Sequence, residues 1–310
     1  MIHDTLKEAE QQNEVSFTSE NPGERRGTML HANNHQARSP HLTNESKTQI
    51  PSIESDDAFR TPGVLELLLS RCAKNTWHPD PRRTLLFDRH SDLQGTEEFR
   101  TLRSRLCLAQ QRKPLKKLLI TSPLPKEGKS FVASNLARVI VQQPKTRVLL
   151  IDCDLRSAQL HHYLGAPLSP GLSDYLCGEA DVFSVVQQEQ SSKLFFIAAG
   201  KPITNPNELI CGGSLRLLLS RLAPAFDWIV VDSPPAIPIS DAKVLADSCD
   251  GVLIVIRAGK TPFDLAQKVC REFREKQFVG AVLNGAETSA VYSSYYSYKA
   301  SRRREESDRK

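Results

Sequence analysis

The chain has no run of about eighteen apolar residues, the length a membrane-crossing helix needs, and its first residues, from Met1 to Glu8, contain no apolar signal core. The expectation is a cytoplasmic protein that reaches the inner face of the plasma membrane only through a partner. Its seven cysteines are an odd number, scattered from Cys72 to Cys270 without a CxxC pair or metal-ligand spacing. They are read as reduced thiols of a cytosolic protein. Six of the eight histidines lie at or before His90, dispersed, and the pair His161-His162 lacks acidic neighbours. A histidine or cysteine metal site is therefore not expected. No internal repeat is visible.

What is present is unevenly distributed. Residues 1–60 are rich in Gln, Asn, Ser, Glu and His and carry ten acidic against six basic residues. So little apolar surface cannot offset the entropy of ordering, and the segment is expected to be disordered. Residues 61–90 read as a linker with a short amphipathic helix starting at Val64 and ended by the Pro79–Pro81 cluster. The remainder of the chain is net positive, which suits anionic ligands or a solvated basic surface equally.

From residue 91 the patterning sharpens. Helix periodicity appears over 97–110, 130–141, 207–222, 241–247 and 261–276. Apolar runs at 115–121, 147–152, 194–198, 227–232, 252–257 and 279–283 read as buried strands. Strands alternating with helices imply right-handed crossovers, hence an α/β fold: a mostly parallel central sheet with helices on both faces. The folded domain is expected over 91–286, followed by a polar, tyrosine-bearing and finally basic tail over 287–310.

Three segments carry chemistry. The first is Thr121-Ser-Pro-Leu-Pro-Lys-Glu-Gly-Lys-Ser130, between a predicted strand and a predicted helix. A phosphate-binding loop wraps anionic oxygens in backbone amides, aims a lysine at the β and γ phosphates and offers a hydroxyl to magnesium. Gly128-Lys129-Ser130 supplies the last of these elements. The usual glycine five residues earlier is Pro123, and the position of Lys126 commonly holds another glycine, which unusual dihedrals would favour. A degenerate turn with no nucleotide is the plain alternative. The second segment is Val148-Leu-Leu-Ile-Asp-Cys-Asp-Leu-Arg156. Asp152 and Asp154 lie two apart at a strand end, so one carboxylate can hold magnesium or its water shell while the other takes a proton from an attacking hydroxyl. Arg156 can contact phosphate or brace a neighbour. An Asp turn that ends the strand and caps the next helix is the structural alternative. The third is Trp228-Ile-Val-Val-Asp-Ser-Pro-Pro235, an apolar run ending in Asp232, where a second magnesium-linked acid stands in P-loop proteins.

Together these segments resemble the bacterial tyrosine kinase (BY-kinase) family of the free-standing CpsD/CapB type, within the MinD/ParA-like P-loop NTPases. The resemblance covers about 91–299 and extends to the text of 171–176, 199–209 and 241–253. It implies an ATP- and Mg2+-dependent protein-tyrosine autokinase that regulates polymerisation or export of a surface polysaccharide. It further implies that Pro125, Lys126, Glu127, Gly128, Lys129, Ser130 and Phe131 form the nucleotide loop, with Arg156 and Asn284 near the nucleotide. On this reading Ser130, Asp154 and Asp232 serve the metal, Lys129 and Asp154 the transferring phosphate, and Asp152 the tyrosine hydroxyl. Glu97, Arg100 and Arg103 match the family's oligomerisation helix, and Tyr292, Tyr295, Tyr296 and Tyr298 match its terminal cluster, phosphorylated in trans within a ring. The implied partners are other copies of the chain and a separate transmembrane activator of the chain-length-determinant kind, with no nucleic acid.

The eukaryotic kinase strings HRD and DFG are missing, which disfavours that fold. Two other readings stay open on the residues: a MinD/ParA-like ATPase switch that phosphorylates nothing, and a pseudokinase scaffold of the export machinery.

Overall fold

A computed structural model describes residues 64–85, 95–237, 240–274 and 278–286. Eight strands form one sheet in the order β1 (Ala73–Asn75), β4 (Gln187–Glu189), β5 (Leu194–Ile197), β3 (Val148–Asp152), β6 (Trp228–Asp232), β2 (Lys117–Thr121), β7 (Gly251–Arg257) and β8 (Phe278–Asn284). The six from β5 to β8 run parallel, while β4 is antiparallel to β5 and carries β1 parallel to itself. The central strands are apolar throughout because helices cover both faces, the condition that parallel sheets require. Every residue of β3 and β6 is buried.

Side-chain alternation divides the core in two. Leu118, Ile120, Val148, Leu150 and Val230 face one side, with Val132, Leu136 and Ile140 of α3 (Lys129–Val141). Leu119, Leu149, Ile151, Ile229 and Val231 face the other, with Leu215, Leu218 and Leu222 of α8 (Ser214–Leu222). The same alternation carried to the strand ends turns Asp152 and Asp232 toward the α3 side, and the two are register partners across β3 and β6. The remaining helices are α1 (Val64–Arg71), α2 (Thr96–Arg112), the short α4 (Leu160–Leu164), α5 (Leu172–Leu176) and α6 (Val182–Val185), α7 (Pro206–Cys211), α9 (Asp241–Ala246) and α10 (Phe263–Phe273). All six strands and the long helices read from the pattern are present, within a few residues.

Residues 64–85 of the stretch read as a linker are instead built into the fold. The short helix is there, but Leu68 is fully buried and Cys72 nearly so, and β1 extends the sheet edge. Trp77 is 4 % exposed and meets Phe196 edge-on at 6.0 Å. The Asp80 amide and the Thr84 hydroxyl donate to the Tyr163 carbonyl, and the Leu85 amide donates to Asn135 Oδ1 at 2.7 Å. A three-residue polar strand has no apolar run to announce it, which is why composition misplaces the boundary. Replacing Trp77 with Ala should cost about 3–5 kcal/mol, the usual penalty for emptying a large aromatic site. A denaturant midpoint unchanged from the parent chain would return this stretch to linker status.

Candidate active site

The phosphate loop leaves β2 at Thr121, whose hydroxyl donates to the Pro234 carbonyl at 3.0 Å. Ser233 Oγ donates to the Ile120 carbonyl, and the Ala236 amide donates to the Ser122 carbonyl at 2.8 Å. The exit of β6 and the exit of β2 are thus bonded to each other, which places Asp232 beside the loop. The loop then enters α3 through Gly128, at φ 95°. No side chain caps this helix and no acid stands in its first turn. Thirteen residues of aligned peptide dipoles therefore end in unpaired amides, the usual foundation of an anion site.

Lys126, which stands where glycine is common, has φ 65°. The loop takes up left-handed geometry without the residue that makes it easy, at a cost of about 1–2 kcal/mol. Gly128 is also left-handed, and a Cβ there would force the Asn284 side-chain amide to move. That amide donates to the Glu127 carbonyl at 2.8 Å. Glu127 itself is 3 % exposed, its carboxylate accepting from the Leu124 amide at 3.0 Å and from the Thr261 hydroxyl. Its side chain braces the loop from within.

Lys129 Nζ lies 2.8 Å from Asp154 Oδ2, both side chains largely buried. Burial alone would push the ammonium down, but the charges of Asp232, Asp154 and Asp152 outweigh it and hold its pKa above the ordinary lysine value. Asp154 also accepts from the Ser157 amide at 3.0 Å. Asp152 is fully buried, accepting from the Asp154 amide through Oδ1 and from the Gln159 and Leu160 amides through Oδ2. It therefore occupies the entry of α4, the capping alternative that its position allowed. Burial, then the neighbouring charge of Asp232, raise its pKa well above the carboxylate range against those amide bonds. Asp232 is also fully buried, and neither of its oxygens completes a hydrogen bond. Burial pushes it up to about 6, although the charge of Lys129 and the nearby Ser130 hydroxyl and Ser233 amide pull the other way.

Three buried carboxylates thus share one ammonium. Such a cluster is short of positive charge, and unpaired buried acids are costly. Ser130, 5 % exposed and one residue beyond Lys129, adds a hydroxyl. A hard divalent cation fits this donor set: magnesium takes one or two carboxylates and completes its shell with water and phosphate oxygens. Among the described residues no group of three or more His, Cys, Asp or Glu is placed to hold a metal ion by itself.

The other expected residues fall as follows. Arg156 braces rather than reaches out: its Nε donates to Asp241 Oδ2 at 3.0 Å, and Asp241 is a fully buried acid at the start of α9. Phe131 packs its ring on Phe99 of α2 at 6.0 Å, leaving its backbone to the loop. Pro125 and Lys126 are exposed. Glu97 and Arg100 pair with each other on α2, and Arg103 donates to the Val139 carbonyl at 2.9 Å, near the end of α3. Tyr292, Tyr295, Tyr296 and Tyr298 lie outside the described residues. Thr261, Ser233 and Asp241 were not foreseen. Asp241 alone carried a signal, an acid at a helix start able to pair with Arg156.

A surface depression of about 460 Å3, lined by Arg105, Leu108, Ala109, Arg112 and Lys113, lies on α2. Gln110 in that stretch donates to the Leu115 and Asp227 carbonyls, at the amino ends of β2 and β6. The depression is therefore at the opposite end of the sheet from the aspartates. No helix among the described residues is long and apolar enough to cross a membrane.

No family model matches the chain. Comparison with individual proteins is informative. The tyrosine-protein kinase YwqD of Bacillus subtilis (strain 168) is 33 % identical over 197 residues, 63 % of this chain and 83 % of that protein. The tyrosine-protein kinase Etk of Escherichia coli (strain K12) is 34 % identical over 207 residues, 66 % of this chain but 28 % of the longer Etk. The solved kinase domain of Escherichia coli Etk superposes with a TM-score of 0.60 at 29 % identity, covering 70 % of this chain and 90 % of that domain. Both the sheet with its phosphate loop and the sequence therefore lead to one assignment: the chain belongs to the bacterial tyrosine-protein kinase family.

Proposed function

We propose that this chain is an ATP- and magnesium-dependent tyrosine autokinase that acts on Tyr292, Tyr295, Tyr296 and Tyr298 of a neighbouring copy. The observation that carries the assignment is Asp232, buried with both oxygens unbonded beside the Ser130 hydroxyl and Lys129. The loop amides and Lys129 grip the triphosphate, and Lys129 turns from Asp154 to the β and γ oxygens. Ser130, Asp232 and Asp154 hold the metal or its water shell. When bound, magnesium supplies positive charge to the β and γ phosphate oxygens. Asp152, in its ionised form, would accept the phenolic proton. The tyrosine oxygen then bonds to the γ phosphorus, the bond to the bridging oxygen breaks, and ADP leaves. Asn284 contacts the nucleotide base from the end of β8, and Arg156 positions α9 beneath the site.

Glu97, Arg100 and Arg103 contribute to the contact between copies in a ring. A separate transmembrane activator recruits the chain to the inner face of the plasma membrane, and the modified tail tunes polymerisation or export of a surface polysaccharide. The named relatives support the tyrosine-kinase part of this reading.

The test is direct. Purified full chain is incubated with magnesium and γ-labelled ATP, with and without a co-expressed activator fragment, and label is mapped by mass spectrometry. Label on residues 292–298 is expected. Phosphate release without label indicates an ATPase switch, and absence of nucleotide binding indicates a scaffold.

A further inference from the structure

Three ties converge on Glu127, and two of them come from distant parts of the chain. Thr261, in the turn after β7, donates its hydroxyl to Glu127 Oε1 and accepts from the Arg257 amide at 3.0 Å. Asn284, at the end of β8, donates to the Glu127 carbonyl, and its own carbonyl accepts from the Ala258 amide at 2.9 Å. The third tie is local: the Leu124 amide donates to Glu127 Oε2. The residues on either side of Glu127, Lys126 and Gly128, both have positive φ. Only one of them is glycine. A non-glycine residue persists in that region only when its surroundings over-determine it. Here the surroundings are the bonds to Glu127.

We propose that Thr261 is a positioning residue for nucleotide binding. Its hydroxyl anchors the Glu127 carboxylate to the end of β7, and this anchor holds Lys126 in the left-handed conformation that turns the loop amides toward phosphate. In most phosphate loops a glycine makes such an anchor unnecessary. The inference rests on the nucleotide-binding reading above and adds to it a residue 134 positions away in sequence from the loop it controls. Thr261 acts through Glu127 and touches no substrate.

The test measures binding of a fluorescent ADP analogue with magnesium to the full chain, alongside steady-state kinetics in ATP. Thr261→Val keeps the shape and removes the hydroxyl. It should raise the dissociation constant and the KM for ATP together by about 5–30-fold, the scale of one or two lost hydrogen bonds, while kcat stays within about twofold. Thr261→Ser restores the hydroxyl and should bring affinity back to within about twofold. The decisive comparison is made in a Lys126→Gly background. There the loop needs no anchor, so Thr261→Val should change affinity by less than about twofold. Equal affinity of the parent and Thr261→Val chains, or an undiminished loss in the glycine background, overturns the anchor. A parent chain that takes up no ADP overturns the nucleotide reading itself, and the anchor with it. Thermal melts of each variant guard against misfolding: a Thr261→Ser chain that melts like the parent yet still binds weakly also overturns the anchor.

Discussion

Asp232→Asn makes the protein more stable and catalytically dead. The carboxylate is buried and unbonded, and its pKa is pushed up to about 6 from 3.8. In the unfolded chain the same acid releases its proton near 3.8, while the folded chain keeps it until about pH 6. Raising the pH through that window therefore favours unfolding, and the whole penalty is present above pH 6. The shift corresponds to roughly 3 kcal/mol. An asparagine amide left without partners returns about 1–2 kcal/mol of that, so a net gain on the order of 1–2 kcal/mol is expected at pH 7.5. For a domain of this size that is about 3–6 °C in melting temperature. Well below pH 3.8 the parent acid is protonated in both states and the charge penalty is gone, so the unpartnered amide should leave the variant about 1–2 kcal/mol less stable than the parent. Autophosphorylation should fall by at least about 10²-fold, the loss seen when one charge-stabilising group is removed from a reacting centre. Melting curves at pH 3 and pH 7.5 with labelling assays check both halves. A variant that melts below the parent at pH 7.5 contradicts the charge account even if activity is lost.

Lys129→Met has the opposite thermal sign. Lys129 is the ammonium paired with Asp154, and Asp232 and Asp152 also hold its proton. Its removal leaves three buried carboxylates without that counter-charge, and breaking a buried pair typically costs 3–5 kcal/mol. The melting temperature should therefore drop by about 6 °C or more. Phosphotransfer should fall by about 10³-fold or more, since electrostatic clamping of the phosphates is most of what this chemistry requires. Adding Asp154→Asn to Lys129→Met should recover part of the stability and none of the activity. Labelling measured below the lowered melting temperature, with circular dichroism confirming the fold, separates the two effects. Retained labelling would remove Lys129 from the phosphate site.

The opposite thermal signs follow from one imbalance, and that imbalance was only partly readable beforehand. The acids at 152, 154 and 232 could be found because each ends an apolar run, and strand ends are where α/β sheets gather ligands. Their register, which sets Asp152 directly beside Asp232, is a property of strand order and not of either segment. The two uses of Asp152, base and helix cap, could not be separated by spacing; the Gln159 and Leu160 amides donate to its Oδ2, so the cap is present, and the base role belongs to the proposal. Lys126 read as a defect because glycine is the easy route to a positive φ. Its actual conformation depends on Glu127, Thr261 and Asn284, and hydrogen bonds across 134 and 157 residues leave no local pattern. The three-residue strands β1 and β4 at one end of the sheet were missed for a related reason: Ala-Lys-Asn and Gln-Gln-Glu have no strand character of their own and take it from their neighbours. The long helices and the strands β2, β3, β5, β6 and β7 needed no such help, because period and burial coincide in them, whereas β8, also read as buried, is announced by its apolar run but is only half-buried at the sheet edge.

The central claim is that an uncompensated acidic cluster beside a strained loop is a magnesium-nucleotide site. Calorimetric titration of ADP into the full chain tests it most directly, once with magnesium and once with EDTA. One ADP per chain is expected, bound at least about tenfold more weakly when the metal is chelated, the lower range for disturbing a metal-linked site. No heat at millimolar ADP, or identical binding in EDTA, would contradict the account.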